Sequence, residues 1–175
     1  MSLLKTFLGI GPNAPVDSTG SGDTETVRRI AAKLELMDAD QARYLAAFAY
    51  VLARVAQADL HLDDAEVAAM RETLATVGGL PAEEAALVCE MACDQSSRIG
   101  GSENYLVTRE FRAVSTKAQR AQLLECLFSV AASDGEISTT ESAETLAIAE
   151  ELGFTRPEAL SVRSRFREHI AELKG

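Results

Sequence analysis

A sixteen-residue pattern occurs twice in this chain, 75 positions apart. Residues 51–66 read VLARVAQADLHLDDAE, and residues 126–141 read CLFSVAASDGEISTTE. Five of the sixteen positions are identical, and two of these five are acidic: Asp59 matches Asp134, and Glu66 matches Glu141. In each copy an apolar stretch leads into a short polar turn and then into an amphipathic stretch. A duplication of this kind predicts two helical hairpins that pack around one core.

The apolar residues recur at helical spacing from residue 24 onward, and no stretch alternates with the period of two that strands show. Hydrophobic residues make up 47% of the chain and aromatic residues only 5%, so the core must consist mainly of Ala, Leu, Val and Met. Ala and Leu favour helices. We therefore expect an all-α fold, a compact bundle of seven to eight helices built from two duplicated hairpins. The expected helices are 24–37, 39–58, 64–76, 81–95, 103–113, 116–133, 139–152 and one that begins near residue 155.

Polar residues at several expected helix starts have the spacing of a capping box, in which two side chains three positions apart cap the same helix. The pairs with this spacing are Asp38 with Gln41, Asp63 with Glu66, Ser138 with Glu141, and Thr155 with Glu158. Ser115 is expected to cap the helix 116–133, and Gly78 and Gly79 are expected to end the helix 64–76. Pro81 suits the first turn of the helix 81–95. The helix 39–58 is apolar on nearly all sides except at Arg43 and Arg54, so we expect it at the centre of the bundle.

The first 23 residues differ in composition from the rest of the chain. Residues 11–23 are rich in Gly, Pro, Ser and Asp, which indicates a flexible linker. The apolar run before them is too short to span a membrane and lacks the features of a signal peptide. The sequence therefore predicts a flexible N-terminal tail over 1–23, a single all-helical domain over 24–175 and no transmembrane segment.

The formal net charge is −10 and the isoelectric point is about 4.7. Nucleic-acid binding is disfavoured, because it depends on basic residues that neutralise phosphates. An acidic surface suits cations or a partner protein with a basic surface. The three cysteines, Cys89, Cys93 and Cys126, indicate reduced thiols in the cytoplasm. Their apolar surroundings favour small buried side chains over zinc ligands.

The four acidic residues shared by the two copies divide into two pairs. Glu66 and Glu141 have the spacing of helix-capping residues, which is sufficient to explain them. Asp59 and Asp134 are expected at the C-terminal ends of long helices, where the helix dipole disfavours a carboxylate by about 0.3–1 kcal/mol. A bound cation would remove this repulsion, and so this second pair is a candidate for metal binding.

The second turn matches part of the calcium-binding loop of an EF-hand. Gly135 and Glu141 fall at the positions of that loop's glycine and its bidentate glutamate. The first two ligand positions would be Val130 and Ala132, which have no side-chain oxygen. Each turn therefore offers half a ligand set, and a hard cation that takes about six to eight oxygens would need both turns, backbone carbonyls and water. This hypothesis requires the two turns to lie close together.

The repeated acidic motif, AQADLHLDDAE over 56–66 and AASDGEISTTE over 131–141, resembles the TerB-like family of tellurite-resistance proteins. The resemblance covers about residues 24–173. It implies a compact bundle of seven or eight helices, a bacterial and cytoplasmic protein, and a divalent-metal site in the paired acidic turns. It also implies a role in stress responses to tellurite, phage and colicins, with membrane-protein partners, and a relation to a module of membrane-anchored J-domain co-chaperones.

Carried over residue by residue, the family's acidic positions fall on Asp59, Glu66, Asp134 and Glu141. Two positions depart from the family pattern: Leu60 stands where a glycine is expected, and Ser133 where a second alanine is expected. The four acidic residues are the predicted ligands of a divalent cation, calcium or magnesium, with zinc or manganese as alternatives.

Three functional hypotheses follow. The first is a non-enzymatic, cytoplasmic TerB-like module that binds a divalent cation through its two turns. The second is an acidic module that binds a basic, membrane-associated partner protein without metal. The third, a metal-dependent hydrolase, is less favoured, because the chain has no nucleophile elbow, no HExxH sequence and no phosphate-binding loop.

Overall fold

The computed structural model describes residues 29–30, 32–56, 64–96 and 104–171. Residues 29–30 and 32–35 are helical, and seven further helices follow. These are α1 (Ala39–Ala56), α2 (Asp64–Thr76), α3 (Ala82–Ser96), α4 (Asn104–Val114), α5 (Lys117–Ala131), α6 (Thr139–Glu151) and α7 (Arg156–Ser164). Within these ranges the β pairing consists of an isolated parallel bridge between Ile137 and Ile170. The all-α prediction is confirmed.

Helix α1 lies at the centre of the bundle, as its sequence predicts. Every residue over 45–55 is exposed by 8% or less. The helix packs against α3, α4, α5 and α6. An element surrounded in this way must be apolar on all sides, because each large apolar side chain that it buries contributes about 1.5–3 kcal/mol.

Three aromatic side chains join α1 to α4. The ring of Tyr44 stacks on Phe111 with centroids 5.2 Å apart, and Phe48 meets Phe111 edge-on at 5.9 Å. Phe48 and Phe111 have no solvent exposure. These ring contacts pack α4 against α1.

The predicted capping boxes are confirmed at the starts of α6 and α7, where Ser138 with Glu141 and Thr155 with Glu158 make both reciprocal hydrogen bonds. The prediction for α5 is wrong by one residue. Thr116, not Ser115, caps this helix, because Gln119 stands three positions after Thr116 and completes the box. The Ser115 hydroxyl instead donates to the carbonyl of Phe111.

The start of α1 matches its prediction in part. Asp38 Oδ1 accepts a hydrogen bond from the backbone N–H of Asp40 at 2.9 Å, as an N-cap does. The side-chain amide of Gln41 donates to Glu84 in α3. Gln41 therefore makes a tertiary contact that sequence spacing could not predict.

The connection between α2 and α3 follows the predicted glycine stop. Gly79 has a φ of 65°, the left-handed conformation that is common just after a helix, and the N–H of Leu80 donates to the carbonyl of Leu74 in α2 at 3.2 Å. The carbonyl of Pro81 accepts from Ala85 N at 2.8 Å. Pro81 thus lies just before α3 rather than inside its first turn.

Several sequence predictions fall on residues that the structure does not describe. The boundary predicted at residue 23 and the turn over 57–63, which joins α1 to α2, lie outside the described ranges. The second predicted hairpin, α5 with α6, is present. The duplication of the two hairpins stays a prediction, since the turn of the first copy is outside those ranges. Of the helices that are described, none is both long enough and apolar enough to cross a membrane.

Candidate metal centre

The acidic turn between α5 and α6 has a defined backbone. Helix α5 ends at Ala131, and Gly135 has a φ of 96°, a conformation that glycine adopts without strain. The N–H of Gly135 donates to the carbonyl of Ala132 at 3.0 Å. Asp134 Oδ1 accepts from the backbone N–H of Glu136 at 3.0 Å. The Asp134 carboxylate therefore stabilises the turn, as Asp side chains commonly do.

The helix dipole acts on Asp134 less than the sequence suggests. The helix predicted over 116–133 ends at Ala131, so Asp134 lies beyond the helix and is exposed. Repulsion by the helix dipole falls off within the last turn. The Asp134 carboxylate thus has a structural role that needs no cation, and its exposure leaves it accessible to a hydrated ion.

Glu141 has a different environment. Its Oε2 accepts hydrogen bonds from the backbone N–H of Ser138 at 2.8 Å and from the Ser138 hydroxyl at 2.7 Å. The residue is only 8% exposed. Coordination of an ion by Glu141 would compete with these two capping bonds. Of the two predicted ligands in the second copy, Asp134 fits a cation ligand better.

A contact with the end of the chain holds this turn in place. The N–H of Ile137 donates to the carbonyl of His169 at 2.6 Å, and the N–H of Ala171 donates to the carbonyl of Ile137 at 3.0 Å. His169 Nδ1 lies 3.4 Å from the carbonyl oxygen of Gly135. Ile137 and Ile170 are buried beneath the turn. This anchoring has no signal in the sequence, because it joins segments more than thirty residues apart.

The four predicted ligands differ in how far the structure describes them. Asp134 lies in the turn after α5, and Glu141 lies in the first turn of α6, the helix that follows. Glu66 lies in α2, and Asp59 lies outside the described residues. Among the residues that are described, no three His, Cys, Asp or Glu side chains form a group that could hold a metal ion. The convergence of the two turns, and with it the metal site, stays a prediction.

A buried ion-pair network surrounds Arg54, and the sequence did not predict it. The Arg54 guanidinium donates to Glu144 Oε1 at 2.7 Å, to Glu151 Oε2 at 2.8 Å and to the Thr108 hydroxyl at 2.9 Å. The side chain of Arg54 is 5% exposed, against 36% for Glu144 and 23% for Glu151. The network joins α1 to α4 and α6. Arg54 itself lies in the last helical turn of α1, shortly before the first acidic segment of the sequence.

The charges of this network stabilise one another. Burial lowers the pKa of Arg54, but hydrogen bonds to Glu151 and Glu144 outweigh burial and raise it above its ordinary value. Burial raises the pKa of Glu151, yet hydrogen bonds from Arg54 and Thr108 outweigh it and hold that pKa below its ordinary range. The only sequence signal was an arginine in the apolar C-terminal part of α1, since its partners lie 90 and 97 positions away.

We expect Glu141 and Asp134 to respond differently to mutation in metal-free buffer. Glu141→Ala removes the capping box of α6 and should lower the free energy of unfolding by about 1–2 kcal/mol. Asp134→Ala removes one exposed hydrogen bond and should lower it by about 0.5 kcal/mol. Urea denaturation followed by circular dichroism measures both values. Equal losses in the two variants would contradict the assignment of the capping role to Glu141.

The family model for "Tellurite resistance protein TerB" matches residues 44–164. The match includes α2 to α7 and both acidic turns, and it begins within α1. No curated protein and no solved structure matches the chain. The matched range is well over half of the chain, and it agrees with the resemblance that the repeated acidic motif indicates.

Proposed function

Because this chain belongs to the tellurite resistance protein TerB family, we propose that it is a non-enzymatic, cytoplasmic module of a bacterial stress response. In this proposal its two acidic turns bind one divalent cation. The observation that carries the proposal is the exposed carboxylate of Asp134 in a turn whose motif the chain repeats at Asp59. The predicted ligand set is Asp59, Glu66, Asp134 and Glu141.

The chemistry of the second turn supports this role for a hard cation. Asp134 and Glu136 are both exposed, and they lie two positions apart in the turn, whose backbone also carries carbonyl oxygens. Carboxylate and carbonyl oxygens are the ligands that calcium and magnesium prefer. Glu141 contributes chiefly by capping α6, which fixes the backbone from which Asp134 projects. Zinc and manganese remain alternatives, although zinc favours nitrogen and sulfur ligands.

The test is a titration of the full chain with calcium, magnesium, manganese and zinc by calorimetry, together with thermal melting. An ion that binds only the folded state stabilises it by about 2.7 kcal/mol at a hundredfold excess over Kd. We expect at least one ion to raise the melting temperature of the natural chain. The double variant Asp59→Asn with Asp134→Asn should lose that shift.

A charge-matched control separates coordination from general electrostatics. The double variant Glu72→Gln with Glu83→Gln removes the same two charges from exposed positions on α2 and α3. It should keep the full ion-dependent shift. A shift that disappears equally in both double variants, or that no ion produces in the natural chain, would rule out the ligand assignment.

The net charge of −10 favours a second candidate function. In this alternative, the acidic surface binds a basic and membrane-associated partner protein without a metal ion. Binding through exposed charges weakens as salt rises, because the Debye length falls from about 10 Å at 0.1 M to about 3 Å at 1 M. Strong salt dependence of partner binding, with no effect of chelators, would favour this alternative over the metal-binding module.

A further inference from the structure

A cleft of about 410 Å³ lies near the N-terminal ends of α1, α3 and α5. Asp40 in α1 and Glu84 in α3 line it, together with the α2–α3 connection over 78–81 and with Gln119 and Gln122 in α5. The described turn between α5 and α6 contributes no residue to its wall. The volume is in the range of small-molecule sites, about 300–1,000 Å³. The cleft is therefore a candidate binding site of its own.

Two polar side chains of this cleft have no hydrogen-bond partner among the described residues, the hydroxyl of Tyr44 and the amide of Gln122. The Tyr44 ring is held in place, since it stacks on Phe111 with centroids 5.2 Å apart. Gln122 Nε2 lies close to Gly79, because a Cβ at that glycine would be 3.1 Å from it. The fold thus positions both groups and leaves their hydrogen bonds to solvent or to a ligand.

The charge around the cleft is negative. Four carboxylates stand at the starts of α1 and α3, those of Asp38, Asp40, Glu83 and Glu84. Arg43 offsets one of them, since its guanidinium lies 3.5 Å from Asp40 Oδ1. Each helix N-terminus nearby adds only about half a positive charge. Because none of the residues that line the cleft is Lys, Arg or His, the site disfavours an anion and favours a cation.

An organic cation fits this cleft better than a metal ion does. Calcium takes about six to eight oxygen ligands, and the described residues contain no cluster of three His, Cys, Asp or Glu that could hold an ion. An ammonium or guanidinium group instead donates hydrogen bonds to a few carboxylate, hydroxyl or amide oxygens. The side chains of Tyr44, Leu80 and Val114 also line the cleft, and an alkyl chain can pack against them.

We propose that this cleft binds a small aliphatic amine or guanidino compound. The cationic group of the ligand donates hydrogen bonds to the Glu84 carboxylate, which also accepts one from the Gln41 amide. A carboxylate has about four lone-pair positions, so Glu84 can accept from Gln41 and from a ligand at once. The Tyr44 hydroxyl and the Gln122 amide supply neutral hydrogen bonds beside it. The cleft shares no residue with the proposed metal site and does not depend on it.

The first experiment follows the amides of the full chain by NMR while putrescine or agmatine is added in metal-free buffer. We expect saturable shifts of the Gly79 backbone amide and the Gln122 side-chain amide, with a Kd of about 1 mM or lower. Butanediol, which has the chain of putrescine without its charges, should cause none. Saturable shifts at Gly135 without any at Gly79, or no saturable shift with either amine, would overturn the proposal. Shifts at Gly79 that a lysine-rich peptide produces and the two amines do not would also overturn it, since the cleft would then bind a protein partner.

The second experiment compares two neighbouring glutamates in the same titration. Glu84→Gln keeps an acceptor for the Gln41 amide but removes the charge from the cleft, and it should weaken amine binding about tenfold. Glu83→Gln is the matched control, because Glu83 is exposed and does not line the cleft. Its Kd should stay within about twofold of that of the natural chain. Equal weakening in the two variants would indicate a general attraction of amines to an acidic surface and would contradict the proposal, as would unchanged binding in Glu84→Gln.

Discussion

Replacement of Phe111 by alanine is expected to lower the free energy of unfolding by about 4 kcal/mol. Phe111 has no solvent exposure and contacts the rings of both Tyr44 and Phe48. Alanine would leave a cavity between α4 and α1. It would also remove two aromatic contacts, each worth about 0.5–1.5 kcal/mol beyond the buried area. The neighbouring side chains have little freedom to fill the cavity, because Phe48 is itself fully buried.

Urea denaturation of the natural chain and of Phe111→Ala measures this loss of stability. The variant Phe111→Leu indicates how much of the loss is due to the missing side-chain volume rather than to the missing aromatic contacts. Leu106→Ala is a suitable control, since Leu106 belongs to the same helix and is 49% exposed. The control should change stability by about 0.5 kcal/mol or less. A loss in Phe111→Ala no greater than that of the control would mean that α4 does not depend on the aromatic cluster.

Replacement of Arg54 by methionine is expected to lower the free energy of unfolding by about 3 kcal/mol. The change leaves the carboxylates of Glu144 and Glu151 without their cation, and it removes the donor to the buried Thr108 hydroxyl. The figure lies at the low end for a buried pair, because both glutamates keep some solvent access. Methionine keeps most of the apolar volume, so the loss reports on charge and hydrogen bonding rather than on a cavity.

A compensating variant distinguishes a lost ion pair from a general packing defect. In the triple variant Arg54→Met, Glu144→Gln, Glu151→Gln, no unpaired charge remains near position 54. We expect it to recover about half of the lost stability, or roughly 1–2 kcal/mol. Arg43→Met is the control, because the Arg43 side chain is 43% exposed, against 5% for Arg54, and it also pairs with a glutamate, Glu110. That control should lose about 1 kcal/mol at most. An Arg54→Met loss as small as that of the control would contradict the role of the network.

Sequence patterns confined to a few neighbouring residues predicted the helices well. The capping boxes of α6 and α7 and the glycine stop after α2 depend on short stretches, and all three are present. The error at α5 has the same local origin. Ser115 and Thr116 are both competent caps, and only the position of Gln119 decides between them. The central position of α1 was also predictable, because the apolar residues recur on every side of the helix over 45–55, where none is exposed.

The candidate site was predictable only in part. The repeat identified Asp134 and Glu141 together, but spacing could not show that one is exposed and the other almost buried. The expected repulsion at Asp134 depended on a helix that ends two residues later than α5 does. Cys93 was expected to be buried like Cys89, and its partial exposure results from its place in the last turn of α3.

The sequence by itself determined the all-α class, the central position of α1, most helix ends and the family. These properties depend on neighbouring residues, on helical periodicity or on a repeated motif, all of which can be counted along the chain. Only the tertiary structure decided which charges meet across the bundle. Arg54 finds its carboxylates 90 and 97 positions away, and Ile137 pairs with Ile170 beneath the acidic turn. Such contacts depend on how the helices pack. In an acidic chain many glutamates could pair with Arg54, and the packing alone decides which two do.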